Sequence, residues 1–459
     1  MRHIFNDLMC FFSYFCVNMR RKAYSNLLDW KNAPNRKPLI IQGARQVGKT
    51  YLMKQFGAEE FRHVAYFNFE SQPKLAKVFE NDLSPQNIIN GLKLLSDAVI
   101  EPENTLLIFD EIQACPKALT ALKYFQEDAQ NYPILAAGSL LGVALHRGVS
   151  FPVGKVDFLQ LNPLDFIEFL QITNNEKWAQ LLLECNWELQ EIVSDQIIEL
   201  LKRYLLVGGM PEVAVNFGKH NDLEQARTIQ QSILQAYEND FSKHAPIEQL
   251  PRIRLVWQSI VGQLAKENSK FIYSVLRKGT RAKDFELAIE WLKDAGLVYK
   301  ATRVSKSAWP IEAYAMWGDF KLYLHDCGLL TAMSQLPPAI VLDDNRLFTE
   351  FKGILSEQYA AQQLLSQHLP LYYWRPPNAE AEVDFILPIN GEIIPLEIKS
   401  SDNVRSRSLS VYAKTYEPKV CIRASLLPYR HQQWMENIPL YSLGAWLYSQ
   451  QSSKSISSG

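Results

Sequence analysis

The residues with the clearest chemical meaning are Gly43-Ala44-Arg45-Gln46-Val47-Gly48-Lys49-Thr50, a G-x-x-x-x-G-K-T run. Glycines let such a loop curl so that successive N–H groups converge on a phosphate, and a helix starting at its end adds a positive pole. Lys49 then bridges the β- and γ-phosphates of a nucleoside triphosphate, and Thr50 sets its hydroxyl on Mg²⁺. A second run, Leu106-Leu107-Ile108-Phe109-Asp110-Glu111, is an apolar strand ending in two carboxylates. Neighbouring side chains at a strand end point different ways, so Asp110 can serve the metal while Glu111 orients an attacking water. Ser139, just past the apolar run ending at Ala137, is the polar residue expected to sense the γ-phosphate.

These residues need a sheet to hold them. Pro38–Gln42, Val64–Phe69, Thr105–Phe109 and Pro133–Ala137 are short apolar runs separated by helical periodicity, the pattern of a mostly parallel sheet with helices on both faces. The loop directly follows the first strand, and the carboxylates end the third. Beyond Pro163 the periodicity is helical over Asp165–Leu170, Lys177–Cys185 and Val193–Leu206, then breaks at Gly208-Gly209-Met210-Pro211. Leu223–Lys243 and Arg252–Ala265 are further helical stretches.

Gly43 to Thr50, the run Leu106 to Gln113, Gly138-Ser139-Leu140-Leu141, Asn162-Pro163-Leu164 with Phe166 and Glu168-Phe169-Leu170, and Gly208 to Glu212 together resemble a prokaryotic family of AAA-type P-loop ATPases. Its members join an ATPase domain to a C-terminal domain of uncharacterised function with a restriction-endonuclease-like core. The resemblance runs from about Met19 to Val420. It implies that ATP is the nucleotide, that Lys49, Thr50, Asp110 and Glu111 carry its hydrolysis, and that Ser139 is the sensor. Many relatives have Gly-Arg where this chain has Gly154-Lys155, and a lysine offers a point charge where an arginine offers a fork. Lys155 or Arg147 is the expected substitute for an arginine finger, which would act across subunits in a homo-oligomer.

Ser269 to Val304 reads as helix, turn, helix and strand, resembling a winged helix-turn-helix with Asp284–Ala295 in the recognition position. Lys270, Arg277, Lys278, Arg281, Lys283, Lys293, Lys300, Arg303 and Lys306 outnumber Asp284, Glu286, Glu290 and Asp294 there. That local excess permits phosphate contacts, so DNA is one expected partner. Use of the same fold for packing domains together is the other reading.

In the C-terminal segment, Asn390-Gly391 is a two-residue hairpin turn. Its register sets Asp384 across from Glu397 and Glu382 across from Lys399, with these four on one face. Val383, Phe385, Leu387, Ile389, Ile394, Leu396 and Ile398 make the opposite face apolar. Two carboxylates facing each other repel unless a cation or proton intervenes. Asp384 and Glu397 as metal ligands, Lys399 as the group that positions water, and Glu357 as a fourth member form a PD-(D/E)xK arrangement suited to phosphodiester cleavage. A retained scaffold without activity, or a solvated Glu397–Lys399 pair, is the alternative.

With 459 residues, 47% hydrophobic and 21% charged, the chain is globular and multidomain, not disordered or fibrous. Lys and Arg number 48 against 49 Asp and Glu, so any nucleic acid must be held by a local patch. Cys10, Cys16, Cys115, Cys185, Cys327 and Cys421 form no metal or disulfide spacing, which fits a cytoplasmic protein. Leu8–Val17 is apolar but too short to span a bilayer, leaving a leader or a true start at Met19.

The expected fold is α/β: a three-layer parallel-sheet P-loop ATPase domain over 19–165, a helical lid at 166–245 and a winged-helix connector at 246–335. An α/β nuclease-like domain at 336–449 and a disordered tail at 450–459 complete it, behind a leader at 1–18. The expected function is Mg²⁺-dependent ATP hydrolysis coupled to a DNA-binding or nuclease-like domain; the rival is an ATP-dependent switch engaging a protein partner.

Overall fold

Odd and even residues of short apolar strands go to opposite faces, and that alternation makes the first sheet the middle of three layers. A computed structural model describes residues 21–80, 82–138, 152–265, 270–276, 281–342, 349–376, 381–400 and 406–452. Strands β1 (Leu39–Gln42), β2 (His63–Asn68), β3 (Thr105–Asp110), β4 (Ile134–Ala137) and β5 (Asp157–Gln160) pair in the order β2-β3-β4-β1-β5. All four pairings are parallel. Leu39, Ile41, Leu106 and Ile108 pack against Leu52 and Phe56 of helix Lys49–Glu60. Ile40, Leu107, Phe109 and Ile134 pack against Ile88, Leu92, Leu119 and Leu122 on the other side. The four strands expected from sequence are present, and β5 is an addition: a half-exposed edge strand lacks the apolar run that marks the buried ones.

Helices Phe166–Ile172, Glu176–Leu183, Ser194–Val207, Pro211–His220 and Leu223–His244 follow. The first is closed by a capping box between Asp165 and Glu168, the D-x-x-E signature that satisfies two otherwise orphaned N–H groups. Phe166, Phe169 and Tyr204 meet Tyr359 of helix Thr349–Ser366 in a buried aromatic cluster. This ties the helical segment to the C-terminal one.

Helices Leu250–Leu264, Tyr273–Leu276 and Ala282–Asp294 lead into an antiparallel pair, β6 (Val298–Val304) and β7 (Ala315–Leu324). Strand β8 (Tyr372–Trp374) adds to β6 in parallel, so the C-terminal segment completes the sheet of the middle one. Its own sheet runs β12-β13-β11-β10-β9, from β9 (Phe385–Ile389), β10 (Glu392–Lys399), β11 (Cys421–Ser425), β12 (Arg430–Gln432) and β13 (Met435–Pro439).

The β9–β10 hairpin has the register read from its turn, from Glu392 opposite Ile389 to Leu396 opposite Phe385. Asn390 and Gly391 both have positive φ, 54° and 81°, as a type I′ turn requires. Phe385, Leu387, Ile389, Ile394, Leu396 and Ile398 all enter the main core. Val383 does not. It bridges Trp374 before β9 begins and joins a second cluster with Tyr372, Ile386 and Tyr412. That cluster packs on the face of the hairpin opposite the main core. Of the tail expected from Gln450, Gln450 to Ser452 belong to helix Leu443–Ser452, held by Asn390 Nδ2 to Gln450 O (2.6 Å) and Gln451 Nε2 to Gln367 O (3.0 Å), and 453–459 lie outside the described residues. Among the described residues, no helix is long and apolar enough to cross a membrane.

Candidate functional site

The loop after β1 turns sharply before the helix beginning at Lys49. Gly43 has φ +147° and lies so close to Leu161 that a Cβ would fall 2.2 Å from its carbonyl oxygen, while Gly48 at φ +94° starts the helix from a left-handed conformation. Both positions therefore demand glycine. The loop is braced from behind by Arg21, which donates to Val47 O (3.0 Å), Asn162 O (2.6 Å) and Glu168 Oε1 (2.9 Å).

Lys49 is 6% exposed, and its ammonium donates to Gly43 O (2.9 Å) and Ala44 O (2.8 Å). Burial pulls its pKa down to about 8, against the pull of Glu111 and Asp110 in the other direction. Thr50 Oγ1 and Tyr66 Oη each donate to Asp110 Oδ2 at 2.8 Å. Parallel pairing of β2 with β3 sets Asn68 beside Asp110. Thr50 and Asp110 thus present hard oxygen donors side by side, the set that Mg²⁺ takes when nucleotide phosphates and water supply the remaining ligands. Glu111 has left-handed backbone, φ 50° and ψ 44°. Gln113 Nε2 donates to Glu111 Oε2 at 2.5 Å.

On the other side of the loop, Arg45 Nη1 donates to Asp240 Oδ1 (2.6 Å) and Tyr237 Oη donates to Arg45 O (2.9 Å), both from helix Leu223–His244. Tyr237 Oη also meets His325 Nε2 at 3.2 Å, and His325 Nδ1 lies 3.1 Å from Leu297 O. Burial lowers the His325 pKa to about 4, so the ring is neutral near pH 7. The sequence alone assigned His325 no role; here it closes a buried chain from loop to middle segment. A cavity of about 550 Å³ lies on the far side of Arg21, lined among others by Asn26, Asn162, Glu168, His368 and Tyr448.

The loop and β3 residues expected from sequence are therefore brought together. Ser139 and Arg147 lie outside the described residues. Lys155 pairs with Glu127 of the same chain at 3.0 Å. Arg21, Tyr66, Tyr237 and Asp240 were not anticipated, because each comes from another element and carries no motif of its own. The Asp165–Glu168 capping box was the one local signal near them.

In the C-terminal cluster, Asp384 Oδ2 accepts from Ile398 N (2.7 Å), and Lys399 Nζ meets Glu397 Oε1 (2.9 Å). Glu397 is 3% exposed, and its other oxygen has no hydrogen-bond partner. The residue that sequence reading missed is Lys321 on β7. It is 1% exposed, and its ammonium lies 2.7 Å from Glu382 and 3.4 Å from Glu357, which also accepts from Tyr323 Oη at 3.1 Å. Burial lowers the Lys321 pKa, but Glu357, Tyr323, Glu382 and Asp384 together hold it well above its ordinary value. Burial, then the charge of Glu357, pushes Asp384 well above the usual carboxylate range, with Lys321 opposing. Burial also works against the Lys399 charge, which Glu397 more than restores. Among the described residues, no three His, Cys, Asp or Glu side chains converge to hold a metal ion.

Residues 35–170 match the model of an AAA domain. Residues 198–339 and 352–443 match two domains of unknown function, DUF8612 and DUF4143. No curated protein matches the chain. Among solved structures it is similar to the Walker-type ATPase of Pyrococcus abyssi (16% identity, 69% of this chain and 96% of that one, TM-score 0.43). It is also similar to the Aeropyrum pernix ORC1 protein in complex with DNA (16%, 72% and 97%, 0.29) and to AMPPCP-bound DnaA from Aquifex aeolicus (16%, 60% and 86%, 0.26). The match to an AAA domain falls on the segment that holds the five-stranded parallel sheet and the loop after β1.

Proposed function

We propose that the chain hydrolyses ATP with Mg²⁺ in this P-loop site. The observation that carries the reading is the meeting of Thr50 with Asp110 at 2.8 Å, beside a buried Lys49 and a Glu111 with left-handed backbone. Loop N–H groups and Lys49 hold the phosphates, and Lys49 must leave the carbonyls of Gly43 and Ala44 to do so. Thr50 and Asp110 would hold Mg²⁺, which when bound neutralises phosphate charge. Glu111 orients water on the γ-phosphate. Ser139 is proposed as the γ-phosphate sensor.

Coupling to DNA is the finer part of the proposal. The order of helices and strands between 250 and 324 supports a winged-helix reading of the middle segment, and Asp384, Glu397, Lys399 and Glu357 remain the proposed cleavage residues. A specific observation favours the rival, an ATP-dependent switch for a protein partner: Lys321 already supplies positive charge to the carboxylate cluster. Moreover, Lys270 and Arg303 are paired with Asp319, and Lys293 and Lys300 with Glu290. Those pairings neutralise part of the basic excess that DNA would use.

The test is ATP turnover with and without duplex or single-stranded DNA, with the same reactions examined for Mg²⁺- or Mn²⁺-dependent cleavage. Stimulation by DNA, with cleavage lost in Glu397→Ala, is expected of the motor or nuclease. Turnover indifferent to DNA, without cleavage, selects the switch. Chelation by EDTA is expected to abolish turnover in either case.

Nucleotide affinity is expected to depend on pH. With a free-state pKa of about 8, Lys49 becomes neutral as pH rises past that value. Phosphates select the ammonium, so binding above about pH 8 takes up a proton, and the dissociation constant rises up to ~10-fold per pH unit. Fluorescent-nucleotide titrations across the alkaline range read the slope, and calorimetry in two buffers of different ionisation enthalpy reads the proton.

A further inference from the structure

We propose that Tyr66 is a positioning residue for the metal–nucleotide complex: its hydroxyl fixes the Asp110 carboxylate in the orientation from which that group serves Mg²⁺. The inference rests on the Mg²⁺–ATP reading above and adds a residue to it.

Alternation along β2 sends Ala65 and Phe67 into the core under the outer helices and turns Tyr66 toward the side of helix Lys49–Glu60. The parallel register sets Tyr66 beside Ile108 and Asn68 beside Asp110. Tyr66 therefore reaches Asp110 along a diagonal, a span that an aromatic side chain covers and a short hydroxyl side chain does not. Its ring is held from the helix side by Lys54, whose ammonium lies 3.8 Å from the ring centre.

The direction of the hydrogen bonds at the Tyr66 hydroxyl follows from its neighbours. In the turn after β2, Asn68 Oδ1 accepts from Glu70 N (3.1 Å) and Ser71 N (2.8 Å). With that oxygen engaged, the Asn68 amide presents its NH₂ group to Tyr66 Oη at 3.3 Å. Tyr66 Oη thus accepts from Asn68 and gives its single proton to Asp110 Oδ2. Oδ2 takes a second hydroxyl proton from Thr50, and Oδ1 accepts from Glu111 N at 3.1 Å.

The terminal torsion of an aspartate is broad, yet here both oxygens of a carboxylate only 3% exposed are held. The plane of the carboxylate is thereby set before nucleotide arrives, which matters because Mg²⁺ demands near-ideal octahedral geometry of its ligands. Thr50 is itself a proposed metal ligand, so Tyr66 is the hydroxyl that steadies Oδ2 from outside the ligand set. It acts through Asp110.

The test uses Tyr66→Phe, which keeps the ring beside Lys54 and removes only the hydroxyl. Affinity for a fluorescent, non-hydrolysable ATP analogue is measured in Mg²⁺ and in EDTA, with melting temperature, alone and in an Asp110→Asn background. The expected result is a ~10-fold loss of analogue affinity in Mg²⁺, with affinity in EDTA and melting temperature close to wild type. The Mg²⁺ concentration that half-saturates turnover should rise by a similar factor. In Asp110→Asn the added effect of Tyr66→Phe should shrink to within twofold, the signature of two residues acting as one unit. Affinity in Mg²⁺ within twofold of wild type would overturn the role of Tyr66 and leave the ATPase reading standing. Equal losses in Mg²⁺ and EDTA, a lowered melting temperature, or an undiminished effect in Asp110→Asn would overturn it in favour of a merely structural role. Absence of Lys49-dependent nucleotide binding in the wild type would overturn both readings.

Discussion

Replacing Lys49 by alanine is expected to lower ATP turnover by about 10²–10³-fold, the scale set by loss of one preorganised group at a developing charge. The side chain is buried and donates to two carbonyls of its own loop, so the variant also leaves Gly43 O and Ala44 O without that donor. A modest loss of stability should accompany the kinetic effect, and melting temperature separates the two. Glu111→Gln is the informative partner. Its amide keeps the volume and still presents an oxygen to Gln113, but accepts a proton from water poorly. Nucleotide should therefore remain bound while hydrolysis slows by ~10²–10⁴-fold. Retained nucleotide affinity with lost turnover in Glu111→Gln, against loss of both in Lys49→Ala, is the pattern that this geometry requires. Equal turnover in wild type and Lys49→Ala would remove the loop from the function.

Removal of the Lys321 charge is expected to have the largest effect on stability. Lys321→Met keeps much of the apolar stem but leaves Glu357, Glu382 and Asp384 facing one another without their buried cation. Breaking such a pair from one side costs about 3–5 kcal/mol. The pH dependence has a definite sign. The folded-state pKa of Lys321 is raised above 10.5, so its contribution is complete below that value and is lost as pH rises through the higher folded value. Asp384 is raised as well, so it favours the fold below its ordinary range and disfavours it as pH climbs through the raised value. In Lys321→Met the deficit should be greatest at neutral and alkaline pH and shrink on acidification, as the carboxylates take up protons. Denaturant midpoints at several pH values check this, and adding Glu382→Gln to the variant should recover part of the loss. A midpoint unchanged by Lys321→Met would show that the ammonium does not hold the cluster together.

Much of this was legible without coordinates because it is local. The β9–β10 register follows from two residues, Asn390 and Gly391, whose positive φ values permit one hairpin geometry. The core strands announced themselves as apolar runs, and the loop of Gly43 to Thr50 by glycines at positions whose positive φ strains any side chain. Strand β5 was hidden because an edge strand with Asp157 and Phe158 partly exposed has no apolar run. Val383 was misread because alternation predicts a face only while the strand lasts, and β9 starts at Phe385.

What the sequence by itself determined, then, is the Gly43–Thr50 loop, the carboxylates at the end of β3 and the pairing of β9 with β10, each set by periodicity or turn chemistry over a few residues. Only the tertiary structure decided the partners of those groups. Arg21 reaches Glu168 across 147 positions of chain, Arg45 reaches Asp240 across 195 and Tyr237 reaches His325 across 88. Lys321 meets Glu382 because β7 and the C-terminal hairpin come together in space. Such contacts carry no periodic signature, because a buried charge is placed by whatever the folded chain brings within a few ångströms of it, and that is a property of packing.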